Sequence, residues 1–133
     1  MKRKRILVVD DDPTVRRATA RILRQEGYDV ETARDGAHAI ILVRTGNDEG
    51  RPFGLIVSDC DMPAEDDAFR MIDALRLSDH YLPVIIVSGR QPEAIRRSAT
   101  AHGHHPGSAR EILLKPAVRA TLLTKIREIL GES

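Results

Sequence analysis

The chain is poor in several things at once. It contains a single cysteine, Cys60, so no disulfide can form within it. That fits a reducing compartment, and a cytoplasmic location is expected. Neither sign of charge dominates: 21 Lys and Arg stand against 20 Asp and Glu, a formal net charge of +1. Bulk nucleic-acid binding draws on a strong basic excess, so no direct nucleic-acid partner is expected. No apolar run approaches the roughly 18 residues that cross a bilayer, so no membrane association is expected either. The basic start, Lys2 to Arg5, is followed by no apolar segment of the signal-peptide kind. It reads as a solvated lead-in to a strand rather than a patch for a partner. Internal repeats, low-complexity segments and linkers are also missing. The 133 residues, 41% hydrophobic and 31% charged, suit one globular domain spanning 1–133 with its core at about 5–130. The last periodic segment ends near the C-terminus, so no second domain is expected within these residues.

What is present is a set of short apolar runs: Ile6 to Val9, Leu55 to Val57, Val84 to Val87 and Ile112 to Leu114. They are rich in Val and Ile and do not alternate, which predicts strands buried on both faces of a parallel sheet. Tyr28 to Thr32 alternates and reads as an edge strand. Helical spacing fills the gaps. Asp12 suits an N-cap and Pro13 the first helical position, after which Val15, Ala18 and Ile22 share a face and Gly27 can end the helix. Ala37 to Val43 predicts a second helix, the stripe Ala68, Ile72 and Leu75 a third, Pro92 to about Ala101 a fourth. Val118, Leu122, Ile126 and Ile129 predict a fifth, between Pro116 and Gly131. Thr45 to Pro52 and His102 to Arg110 read as long loops. Strand and helix alternate five times, which predicts an α/β doubly wound parallel sheet with helices on both faces and right-handed crossovers.

Ligands of such sheets bind at the carboxyl ends of the strands. The first strand ends in Asp10, Asp11 and Asp12, the third in Asp59, Cys60 and Asp61, the fourth in Ser88 and Gly89, the fifth in Lys115 and Pro116. Four strands thus deliver carboxylates, a hydroxyl and an ammonium to one edge. Two like charges about 4 Å apart repel by about 4 kcal/mol at an effective dielectric near 20. Either protons are retained there or a cation sits among the carboxylates. Oxygen ligands with access to water suit Mg²⁺. A carboxylate beside Mg²⁺ can attack phosphorus and form an acyl phosphate, with the developing charge shared by the metal, Lys115 and the Ser88 hydroxyl. Asp12 reads as a helix cap rather than a ligand.

These residues are where the sequence resembles the receiver domains of two-component response regulators. The resemblance runs from about Arg5 to Leu130 and rests on ILVVDDDP at Ile6 to Pro13, LIVSDCDMP at Leu55 to Pro63, PVIIVSG at Pro83 to Gly89 and LLKP at Leu113 to Pro116. It implies a flavodoxin-like strand order 2-1-3-4-5 with five helices. It implies Asp59 as phosphoacceptor, with Asp10, Asp11, Asp59 and the backbone carbonyl of Asp61 around Mg²⁺ (or Mn²⁺). It implies Ser88, Gly89, Lys115 and Pro116 as the phosphate-binding and switch group, with a cis bond before Pro116. The phosphodonor would be a histidine kinase or a histidine phosphotransfer protein. The chain would be no enzyme beyond its own phosphotransfer and autodephosphorylation. Phosphorylation would switch the face made by the fourth helix, fifth strand and fifth helix for an unidentified downstream protein, in a monomer or weak homodimer.

The sequence also departs from the family's pattern. Receivers usually carry an aromatic three residues before the lysine, where this chain has Ile112, and often Phe after Lys-Pro, where it has Ala117. Glycine is common at the position of Asp67; Asp tolerates the left-handed conformation better than most residues. The stretch from Ser88 to Lys115 is longer than usual, with the excess at AHGHHPGSAR. Asp61 and Arg90, flanking the acceptor and Ser88, are expected to pair across the site and to modulate how long the phosphate lasts. His102, His104 and His105 read as a solvated loop rather than a transition-metal site, and Cys60 as a small buried residue. Two other functions are carried as alternatives. The missing aromatics favour a degenerate receiver that binds partners without phosphorylation. Asp59-Cys60-Asp61 also fits the Asp-x-Asp signature of haloacid-dehalogenase-type phosphatases, though those place it after their first strand. A flavin role is set aside because the first strand-helix loop is acidic.

Overall fold

The computed structural model describes residues 4–60, 67–116 and 119–131. Strands and helices alternate: β1 Arg5–Val9, α1 Pro13–Gln25, β2 Asp29–Ala33, α2 Gly36–Asp48, β3 Leu55–Asp59, α3 Asp67–Leu77, β4 Val84–Ser88, α4 Pro92–Ala101, β5 Glu111–Leu114 and α5 Arg119–Leu130. A 3-10 turn, Pro106–Ser108, precedes β5. The strands form one parallel sheet in the order β2-β1-β3-β4-β5. Among the described residues no helix is long and apolar enough to cross a membrane.

The apolar runs lack alternation because the sheet is covered twice. Leu7, Val9, Ile56, Ile86 and Ile112 point to the layer of α2, α3 and α4, where they meet Val43, Phe69, Ile72, Leu75 and Ile95. Ile6, Val8, Leu55, Val57 and Ile85 point the other way, to Ala20 and Leu23 of α1 and Leu122, Leu123 and Ile126 of α5. Each fully buried Leu or Ile contributes about 2 kcal/mol, so the two half-cores fix the sheet between its helices.

Four details differ from the sequence-based expectations. Helix α2 does not stop at Val43 but continues through Asp48, so Thr45 to Asp48 are helical rather than loop. Gly46 permits this: a Cβ there would lie 2.7 Å from the Arg51 carbonyl oxygen, where the chain folds back on the helix end. In α1 the core-facing residues are Ala20 and Leu23, whereas Val15 and Ala18 are exposed. Val15 and Ile22 instead line a small cavity between α1 and α5. Strand β5 is the second edge of the sheet, and Leu114 at its end is exposed rather than buried on both faces. Arg5, finally, is no solvated lead-in. It opens β1, pairs with Asp29 and Glu31 at 3.2 Å each, stacks over Phe53 and donates to the Arg51 carbonyl. Ala117 and Val118 lie outside the described residues.

Candidate functional site

Parallel register brings the strand ends level. Val9 sits between Ala33 and Ser58, Asp59 opposite Val87, and Ser88 opposite Leu114. One residue further along the chain come Asp10, Gly89 and Lys115, so Asp10, Asp59, Ser88 and Lys115 all lie at the same edge. Carboxylate oxygens of Asp10, Asp11 and Asp59 all lie within 4.8 Å of one another, and this is the only such group of potential metal ligands among the described residues. Lys115 Nζ reaches Asp59 Oδ1 at 2.8 Å. Three carboxylates against one ammonium leave two negative charges when all are ionised, a deficit that a divalent cation would fill. The donor set is oxygen only, which suits Mg²⁺ or Mn²⁺.

The electrostatics of Asp10 register the crowding. Its pKa is raised from 3.8 to about 6, first by burial; the Asp59 charge and a hydrogen bond with Asp59 push the same way, against the Asp12 N–H and Lys115. Asp10 and Asp59 are buried, while Asp11 opens to solvent. The loop between β1 and α1 is held by its own bonds. Asp12 N donates to Asp10 Oδ1 at 2.9 Å, and Asp12 Oδ1 accepts from Thr14 N and Val15 N, making Asp12 the helix cap expected of it.

Ser88 is fully buried, and its Oγ accepts from the Arg90 N–H at 3.0 Å. Lys115 N donates to Ser88 O at 2.7 Å, which ties the β5 end to the β4 end, and the Lys115–Pro116 bond is cis. Ile112 is buried in the same cluster as Ile86, Ile95 and Ala99. Asp61 lies outside the described residues, and with it the expected pair with Arg90. Asp67 takes no left-handed turn. It opens α3, where its negative charge meets the positive end of the helix dipole.

The histidine segment departs further from expectation. His104 is not solvated: its ring stacks 6.0 Å from Phe69 and its Nδ1 lies 2.5 Å from Asp73 Oδ2. Gly103, at φ +81°, ends α4 and lets His104 N donate back to Ala99 O, which turns the ring onto α3. His102 bonds to Ser98 O and His105 accepts from Gly107 N, so the three rings do not gather as ligands. The sequence also concealed Arg16, whose Nη1 donates to the Asp10 carbonyl at 2.8 Å. Its only signal is its place one turn beyond the Asp12 cap.

Comparison with known proteins agrees with this geometry. The model of the response regulator receiver domain matches residues 6–127. The transcriptional regulatory protein PrrA of Mycobacterium tuberculosis is 37% identical over 126 residues, covering 95% of this chain and 49% of PrrA. The response regulator MprA of a Mycobacterium species is 32% identical over 126 residues, covering 95% of this chain and 50% of MprA. The chain thus spans about half the length of the curated relatives it matches. Among solved structures, the Vibrio cholerae chemotaxis protein CheY4 superposes with a TM-score of 0.77 at 26% identity, over 96% of this chain and 99% of that one. The Thermotoga maritima response regulator TrrA, solved in complex with Mg²⁺ and BeF, gives 0.75 at 26% identity, over 95% and 98%. Buried strands, a shared carboxyl edge, an acidic pocket and these matches together make the chain a member of the response regulator receiver domain family.

Proposed function

We propose that Asp59 is the phosphoacceptor of this receiver, and that Asp10, Asp11, Asp59 and the Asp61 carbonyl hold a divalent cation, Mg²⁺ or Mn²⁺, beside it. The observation that carries the reading is the convergence of three carboxylates on one lysine at the strand ends. The donor is a phosphohistidine on a histidine kinase or phosphotransfer protein. An Asp59 carboxylate oxygen bonds to phosphorus as the phosphorus–nitrogen bond breaks, and the histidine leaves with the electron pair and takes up a proton. The cation supplies charge neutralisation at the phosphoryl oxygens. Lys115 already lies on Asp59 and can move its ammonium to the phosphoryl oxygens as they arrive. Ser88 holds a hydroxyl on the neighbouring strand, and Gly89 leaves the approach open. Arg90, two residues after Ser88, would pair with Asp61 and hinder water from the acyl phosphate.

The added group carries a charge of about −2, which biases two arrangements of the α4, β5 and α5 face. Ile112 fills the switch position with a buried aliphatic side chain, so the change passes through packing against α4 rather than through an aromatic rotamer. Output is a changed affinity for a downstream protein, with the donor kinase as the other partner. Family membership weighs against a phosphatase reading, and Asp59, which begins the Asp-x-Asp signature, ends the third strand rather than the first. Incubation with acetyl phosphate and Mg²⁺, followed by mass mapping, tests the proposal. Phosphate on Asp59 that is lost in Asp59→Asn supports it. An unmodified protein at saturating Mg²⁺ leaves the phosphorylation-independent receiver as the surviving reading.

A further inference from the structure

We propose that Arg16 is a positioning residue of the acidic site, bracing the loop between β1 and α1 in the shape that receives a divalent cation. The inference rests on the metal-site reading above and adds to it a residue outside the carboxylate cluster.

Asp10 stands one residue beyond the β1 ladder. Its N–H still reaches β2, donating to Ala33 O at 3.1 Å, but the bond its carbonyl accepts comes from Arg16 Nη1 at 2.8 Å. The backbone bond from Arg16 N to Asp12 O, at 2.9 Å, is the first i→i−4 bond of α1 and fixes where the side chain starts. The guanidinium therefore ties the Asp10 carbonyl, on the strand side of exposed Asp11, to the helix that begins after Asp12. The remaining loop bonds are local, from Asp12 N to Asp10 and from the first turn of α1 to Asp12. Among the described residues, no other side chain of α1 bonds the Asp10 carbonyl.

The choice of acceptor matters. Arg16 is half-buried and stands near three aspartates, yet it bonds a backbone carbonyl and forms no ion pair among the described residues. Arginines elsewhere in the chain do take carboxylates, as Arg5 takes Asp29 and Glu31, and Arg119 takes Glu26. A guanidinium spent on a carboxylate here would compete with the cation for it. Bonded to the carbonyl, it fixes the loop and leaves the oxygens of Asp10 and Asp11 to the metal. Partners that orient ligands in this way typically matter about tenfold or more to metal affinity.

Two effects of removing Arg16 oppose each other. Loss of a nearby positive charge favours cation binding, and loss of the brace disfavours it. The proposal is that the brace wins. The test is a Mg²⁺ titration of wild type, Arg16→Met and Arg16→Lys, followed by the amide shifts of Asp11 and Asp59, with thermal unfolding of each protein in metal-free buffer. Arg16→Met is expected to raise the half-saturating Mg²⁺ about tenfold while its metal-free unfolding midpoint stays close to wild type. Arg16→Lys keeps the charge and one donor but loses the rigid fork, and should weaken binding about threefold. Mg²⁺ binding by Arg16→Met as tight as wild type, or tighter, overturns the proposal. If Arg16→Met fails to fold, the lysine variant decides alone, and unchanged affinity there is the contradicting result. A wild-type protein with no saturable shift would instead refute the metal site itself.

Discussion

The two ends of the sheet treat charge in opposite ways. At the amino end Arg5 is largely buried, yet its charge is answered: Asp29 and Glu31 pair with it, Phe53 stacks beneath it, and Arg51 closes on Asp29 at 3.3 Å. At the carboxyl end Asp10, Asp11 and Asp59 crowd within 4.8 Å with Lys115 as the cation in contact. Both ends bury charge in similar strand-end settings. One is balanced within the fold and stabilises it. The other, among the described residues, sets three carboxylates against one ammonium, a repulsion that a bound cation would relieve. A compensated cluster is structural, and an uncompensated one is a site.

Substitution should separate the two ends, beginning with the largest effect. Asp59→Asn should lower phosphorylation from acetyl phosphate by about a hundredfold or more, read as loss of the labelled protein, because the nucleophilic oxygen is gone. Arg5→Ala should cost about 2–3 kcal/mol in urea unfolding, since it strands Glu31, leaves Asp29 to Arg51 alone and uncovers Phe53. Its Mg²⁺ affinity should not change. Asp10→Asn should do the reverse at the other end, stabilising the metal-free protein by about 1 kcal/mol as like-charge crowding is relieved, while weakening Mg²⁺ binding. Equal destabilisation by Arg5→Ala and Asp10→Asn would erase the contrast.

The pH dependence follows from Asp10. The folded protein keeps that proton up to about pH 6, whereas the unfolded chain releases it near 3.8. Between those values the folded state binds more protons, so metal-free stability should fall as pH rises and level off above about 6. With saturating Mg²⁺ the trend should invert, because metal and proton compete for the same oxygens. Thermal midpoints across pH 4 to 7, with and without Mg²⁺, read both slopes. The smallest effect expected is in Arg90→Ala, a severalfold faster loss of the acyl phosphate with stability changed by less than about 1 kcal/mol.

Much of this architecture is legible in the residues themselves. Strands β1, β3 and β4 announce themselves because they are covered on both faces and so read as unbroken apolar runs. Their ends, with that of β5, place Asp10, Asp11, Asp59, Ser88 and Lys115 on one edge without further information. What escaped depends on contacts between distant segments. The last turn of α2 has the composition of a loop, and only the close approach of Arg51 explains why Gly46 continues the helix. His104 reads as solvated until the turn at Gly103 swings it onto Phe69 and Asp73, which lie about thirty residues earlier. Arg16 looks like any other arginine of a basic helix, because the sequence does not reveal that its side chain reaches back to the end of β1.

The central claim is that the acidic edge is completed by a divalent cation and a phosphoryl group on Asp59. The most direct measurement is a titration with Mg²⁺ and then beryllofluoride, which mimics the acyl phosphate, followed by backbone amide shifts. The account predicts a saturable Mg²⁺ shift at Asp10, Asp11 and Asp59, then a second, Mg²⁺-dependent change at Ser88, Lys115 and along α4. Beryllofluoride without effect at Asp59 and Ser88 in saturating Mg²⁺ would contradict it.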